Sequence, residues 1–275
     1  MRYEVIARPP SSGAPVRSTP LLFVHGSWHA AWCWDVFFLP FFANAGYPVR
    51  ALSLRGHGLS DGRHRLGQNR LWDYVADVLR GIEQLPVPPV LIGHSLGGAI
   101  VQKYLELPGA PPVAGAVLMA SVPPHGVWKS TLRLMAGRHF FAAAEGLIRR
   151  RLYPLVATPA RAHDLLFSPA MPRWRAASYQ ARLQDESFLA FVDTLFANLP
   201  RPARARTPVP PVLVLGGNED KIVRPAEVEA TAHAWGTTSV PFPSMANDLM
   251  LDPGWEDVAK RVLEWLDEQN LAGTA

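Results

Sequence analysis

The stretch Gly93-His94-Ser95-Leu96-Gly97 sets one hydroxyl between two glycines, each two residues away. An apolar run, "PVLIG", leads into it, and a helical pattern, "GGAIVQKYL", follows at once. A serine on so tight a strand-to-helix turn stands clear of the sheet, and side chains at the glycine positions would strike neighbouring backbone. The Leu96 amide then lies at a helix N-terminus, where N–H groups and the helix dipole favour an anion. These residue types in this order suit nucleophilic attack by Ser95 on a carbonyl carbon, with the Leu96 N–H holding the oxygen that becomes negative.

Such a hole needs a second donor from another loop. "LLFVHGSWHAAWCW" (21–34) supplies one, a strand ending in His25-Gly26 and followed by Ser27-Trp28. Gly26 lets the chain turn back over the sheet edge and offers the Ser27 amide to Ser95. His25 is read as a brace for that loop and not as a base, and His94 as pointing away from the hydroxyl. Gly26, Trp28, His94 and Trp128 are the pocket candidates, and His29 either borders the pocket or packs.

The elements that must position these groups alternate in type. Residues 21–26, 48–54, 89–95, 114–121 and 211–217 read as buried strands, and 237–242 as a weaker last one. Continuous apolar runs of this kind belong to sheets covered on both faces, which are mostly parallel. Helical spacing appears at 71–85 and 255–271. The fold class is therefore α/β, a mostly parallel, doubly wound sheet. No strand pattern appears between Gly126 and Arg206, so the expected organisation is a core of residues 1–125 and 207–275 with a helical lid over 126–206. The lid holds thirteen basic and five acidic residues and carries the positive excess of a chain whose net charge is +4. Its aromatics (Trp128, Phe140, Phe141, Tyr153, Phe167, Tyr179 and Phe188) read mostly as a small core of its own. Its arginines read as solvated helix faces, with an anionic substrate or lipid surface as the alternative use, and "RRR" (149–151) beside Leu147 and Ile148 as a weak membrane-touching edge.

The remaining features exclude other classes. No run of lysines interleaved with aromatics suggests a nucleic-acid partner. One cysteine, Cys33, cannot close an internal disulfide and fits a reducing compartment. There is no signal-peptide pattern and no apolar run of spanning length, so the expectation is a cytoplasmic protein without a stable membrane anchor. The histidines and the lone cysteine make no metal-ligand set, and "GHSLGG" lacks the dinucleotide spacing, so no metal or cofactor is expected. The expected partner is a small ester-like molecule; oligomeric state is left open.

"HGSW" (25–28), "LRGHGLSDG" (54–62) and "GHSLGG" (93–98), in that order, resemble the α/β-hydrolase superfamily, in particular its lidded esterase- and lipase-like branch. "HGSWHAAWCW" is also similar to plant hydroxynitrile lyases and methylesterases. The resemblance covers nearly the whole core, and it implies an acid after the strand that follows the lid. Asp220 of "GGNEDKIVRP" takes that position, with Glu219 as the fallback. It also implies a histidine in the loop after the last strand. That loop keeps its frame, "SMANDLMLDPGW", but the histidine's place is held by Asn247, which can hydrogen-bond to both Ser95 and Asp220 yet cannot carry a proton. Three readings follow: an ester hydrolase strongly impaired by loss of its base, a lyase or cyclase needing no acyl-enzyme, and a small-molecule-binding pseudoenzyme.

Overall fold

The computed structural model describes residues 1–205 and 207–273. Arg206, at the end of the expected lid, and residues 274–275 of the expected core lie outside the described residues. Among the described residues seven strands form one sheet: β1 (Val5–Arg8), β2 (Leu21–Val24), β3 (Val49–Leu52), β4 (Val90–His94), β5 (Gly115–Met119), β6 (Val212–Gly217) and β7 (Ser239–Phe242). Their order is β1-β3-β2-β4-β5-β6-β7. Every pairing is parallel except β1 with β3, where Val5 faces Leu52 and Arg8 faces Val49. Strands β2, β4, β5 and β6 are buried at every position. That is why they read as unbroken apolar runs and not as alternations.

The helices are α1 (Trp32–Asp35), α2 (Phe38–Asn44), α3 (Leu71–Glu83), α4 (Leu96–Leu105), α5 (Trp128–Ala136), α6 (Phe140–Arg149), α7 (Pro159–Leu166), α8 (Arg173–Gln180), α9 (Phe188–Val192), α10 (Pro225–Ala234) and α11 (Trp255–Glu268). Alternate residues of the strands feed two cores. Leu91 and Leu118 pack with Val75 of α3, Ile100 of α4 and Val228 of α10. Ile92 and Met119 pack with Phe38 of α2 and Val262 of α11 on the opposite face. Helices α5–α9 fill the stretch between β5 and β6, and no described residue there is in a strand.

The expectation of a lid core fails for three aromatics. Phe167 and Tyr179 are buried, but Trp128, Phe140 and Phe141 face outward. In α6 the inner side is taken by Ala142, Ala143 and Gly146, which let the helix sit close and leave no room for a ring.

Strands β2 and β4 are neighbours, yet the chain leaves β2 for β3 on one side and β4 for β5 on the other. The crevice at their carboxyl ends is where open α/β sheets receive ligands. Ser27 and Ser95 both lie just beyond those ends.

Candidate active site

Ser95 sits between β4 and α4 with φ 50° and ψ −114°, a conformation few L-residues adopt. Packing imposes it. A Cβ on Gly93 would stand 2.5 Å from the Gly97 carbonyl oxygen, and one on Gly97 would drive into the carbonyl of Val24 on β2. The Ser95 N–H donates to Met119 O at 2.9 Å, tying the turn to β5.

Opposite the elbow, the loop after β2 is held as closely. A Cβ on Gly26 would lie 2.8 Å from His94 Nδ1 and 2.9 Å from Ser95 Cβ. Trp28 takes a left-handed φ of 67°, costly for a bulky residue, so the loop is held in place by its surroundings. His25 is one such restraint. Its Nε2 accepts from Leu54 N–H at 3.1 Å, so Nδ1 carries the proton and donates to Gly26 O at 2.8 Å. Burial holds this ring well below the usual histidine range, and it stays neutral as a brace. Among the described residues no acceptor takes the N–H of Ser27 or of Leu96.

Ser27, Trp28, Ser95 and Leu96 open onto one narrow cavity of about 70 Å³, counted as room for the centres of water-sized spheres. Its other walls are apolar, notably Val122, Val127, Leu155, Phe191, Ile222 and Val223. Ser130, Thr131 and Thr194 also line it, and each of their hydroxyls donates back to a carbonyl of its own helix or turn. Among the described residues no charged side chain lines this cavity.

Asp220 follows β6 and is buried, whereas Glu219 is exposed. Asp220 Oδ1 accepts from Ile222 N–H at 2.7 Å and Val223 N–H at 2.9 Å. Oδ2 accepts from Asn247 Nδ2 at 2.8 Å. Burial pushes the Asp220 carboxyl up to about 7 despite these three donors, and the neighbouring Asp248 adds to the rise. The loop carrying Asn247 is pinned from both sides. Asp252 accepts from Ala246 N–H at 2.9 Å and from the Ser168 hydroxyl at 2.9 Å. His94 Nε2 lies 2.9 Å from the Asn247 carbonyl oxygen.

This order of parts, a serine elbow after β4, a carboxylate after β6 and a fixed loop after β7, has a counterpart among known proteins. Residues 21–263 match the α/β-hydrolase family. The chain belongs to that family. Over 116 residues it is 37% identical to a bifunctional esterase/perhydrolase of Acinetobacter calcoaceticus, a match covering 39% of each chain. Over 117 residues it is 39% identical to a non-heme chloroperoxidase of Burkholderia pyrrocinia, covering 40% of each. The aligned region thus takes in about two fifths of the length of these curated relatives. The monoacylglycerol lipase of Paleococcus ferrophilus superposes with a TM-score of 0.71 at 22% identity, covering 98% of this chain and 100% of the lipase.

Within this α/β-hydrolase, three pocket candidates do not line the cavity: Gly26, which is closed in by His94 and Ser95, His94 and Trp128. His94 is buried behind the elbow with its ring toward the Asn247 backbone and Gly26, and it does not line the cavity. Burial lowers its pKa to about 4, so it is a neutral donor to the loop. Trp128 begins α5 and is exposed, and it does not join Ser130, Thr131 and Leu134 of that helix in lining the cavity. Asn247 also does less than its chemistry allows. It bonds Asp220, but among the described residues nothing hydrogen-bonds the Ser95 hydroxyl, since the short amide committed to Asp220 lacks an imidazole's reach.

Other residues escaped sequence reasoning. His29 does not border the cavity. Its Nδ1 lies 2.8 Å from Ser27 O and its Nε2 3.1 Å from the fully buried Asp248. Burial alone would depress this ring, but the Asp248 carboxylate and the Ser27 carbonyl outweigh it and raise its pKa. His25 and His29 stand four residues apart, a spacing that suits metal binding on a helix. Here they follow a strand and turn to separate partners. Gln184, from the insertion, donates its N–H to Trp28 O at 2.9 Å, and its side chain bonds Gly58 N–H and Gly56 O. Nothing local in "RLQDES" signals that anchor. Ile222 and Val223 were the findable ones, being the two apolar residues that follow the acid.

Proposed function

We propose that this chain is a serine esterase for small, neutral carboxylic esters, in a form that lacks its general base. The observation that carries the reading is the Asn247–Asp220 hydrogen bond of 2.8 Å together with a strained Ser95 that lines one cavity with Ser27 and Leu96. In this reading Ser95 Oγ attacks the ester carbonyl, and the Ser27 and Leu96 N–H groups receive the oxyanion. The alcohol then leaves, and water must cleave the acyl-serine. A histidine would take the serine's proton, return it to the leaving alcohol and activate the water. Asn247 does none of these, because a carboxamide neither gains nor gives a proton near neutrality. Helices α5–α9 act as the lid, since α5, the segment after α6 and α9 supply cavity walls. The apolar lining favours neutral substrates over the anionic ones that the basic lid alone would suggest.

The test is covalent capture. Aryl esters release a phenolate that needs no proton, and the serine's own proton passes to solvent water without a base, so acylation proceeds slowly while deacylation stalls. Intact mass spectrometry after exposure to an aryl acetate should show one acyl group on Ser95 and none on a Ser95→Ala variant. A protein that binds such esters without ever gaining acyl mass would be a receptor instead.

Cavity size makes a second prediction. A small enclosed cavity with apolar walls suits a short acyl chain. In an Asn247→His background, kcat/KM for acetyl to butyryl esters should exceed that for octanoyl esters by about tenfold or more. Leu155→Ala should narrow or reverse that ratio by clearing wall atoms. An unchanged chain-length profile would mean that the acyl group lies elsewhere.

A further inference from the structure

Helix α6 is built with its large residues outside and its small ones inside. Its buried side is Ala142, Ala143 and Gly146. Phe140, Phe141, Leu147 and Ile148 face solvent, Phe141 and Ile148 at 81% and 83% exposure. At about 100° per residue these four span an arc of roughly 120°, with Ala144 at its centre. Trp128 and Leu132, exposed and four residues apart on one face of α5, add apolar surface on the helix that packs against α6. A contiguous apolar face of this kind marks an interaction surface, unlike apolar residues scattered singly.

Cations rim it. Arg149, Arg150 and Arg151 close α6, Arg138 precedes it, and Lys129 lies beside Trp128. Arg150 and Lys129 have no carboxylate partner among the described residues. Arg138, Arg149 and Arg151 pair with Asp164, Glu145 and Asp185 but keep most of their side chains exposed. We propose that this outer face of α5 and α6 docks on an anionic lipid surface.

The charges decide the occupant. Two copies of the chain joined through this face would set one arginine rim against the other, whereas anionic headgroups complement it. At ten residues α6 is about half a membrane span, so it lies along the interface with its rings among the acyl chains. Helix α5 would then separate the bilayer from the cavity by one helix diameter, about 10 Å. This surface is independent of the serine chemistry.

The experiment is co-sedimentation of the full chain with vesicles of phosphatidylcholine alone, or with one third phosphatidylglycerol. Binding is expected to the anionic vesicles and to weaken as salt rises. Phe141→Glu with Ile148→Glu should reduce partitioning by about tenfold or more. Lys129→Glu with Arg150→Glu should reduce it on anionic vesicles only. All four side chains are exposed, so circular dichroism and melting should match the parent chain. Absence of binding, or equal binding to both vesicle types, overturns the proposal. So does a concentration-dependent dimer in ultracentrifugation that Phe141→Glu disperses, which would give the face to a second copy.

Discussion

Replacing Asn247 with histidine is expected to raise turnover of aryl esters by about 10³-fold or more, and adding Ser95→Ala should abolish the gain. The size follows from serine triads in general. Loss of the histidine costs about 10⁶ in turnover, while the oxyanion hole and binding retain about 10³–10⁴ over water. Restoring an imidazole into a site assembled around an amide recovers part of that factor, and 10³ corresponds to about 4 kcal/mol of barrier. The surroundings are already suited to it. Asp220 Oδ2 is positioned to accept from whatever side chain residue 247 presents, and Oδ1 is held by two backbone donors. The backbone at 247 is fixed by His94, and the flanking loop by Asp252. A histidine there would meet its carboxylate through Nδ1–H and extend Nε2 toward the cavity. Steady-state kinetics on the three chains checks this, and a histidine variant no faster than the parent would remove the esterase reading.

What could be read from the sequence follows the reach of each interaction. The buried strands were legible because both faces are covered, so apolar residues run without a break. Strand β1 was not, since four residues on an exposed antiparallel edge carry no such run. The elbow was legible because its steric demands fall on Gly93 and Gly97, two residues from the serine. The cavity was not. Its walls come from six separated segments that meet only after folding, so Phe191 and Leu155 carry no local mark. Trp128 failed for a related reason: being near the site in the chain does not say which way a side chain turns. In α6 the expectation that rings go inside was defeated by Ala142, Ala143 and Gly146, which were as visible as Phe140 and Phe141 and decide the facing.

Asp220→Asn is expected to have opposite consequences in the two backgrounds. In the chain as it stands, burial holds the Asp220 carboxyl at about 7 in the folded state, against 3.8 for the ordinary group. The folded protein therefore binds this proton more tightly than the unfolded chain does. The associated stability is full below about pH 4 and is lost as pH rises through about 7. A displacement of about three units corresponds to up to roughly 4 kcal/mol. His29 and Asp252 are also raised and act in the same sense, whereas the depressed His25 and His94 act in the opposite one as pH rises through the ordinary histidine range. The Asp220 share is therefore read from the difference between the parent and the variant. Asp220→Asn removes only that share of the pH dependence. Its amide oxygen can still accept from Ile222 and Val223, and Asn247 can turn its oxygen toward the new NH₂. The variant should accordingly be more stable than the parent at pH 8 and little changed at pH 5. Beside a histidine at 247 the balance reverses, because an imidazolium favours the ionised carboxylate and draws its pKa back down. There the same substitution should cost about 10⁴ in turnover by imposing the wrong tautomer on the base. Thermal melts at the two pH values, with kcat measured in the histidine background, decide the matter. Equal destabilisation at both pH values would show that Asp220 is already ionised and serves the fold as an anion.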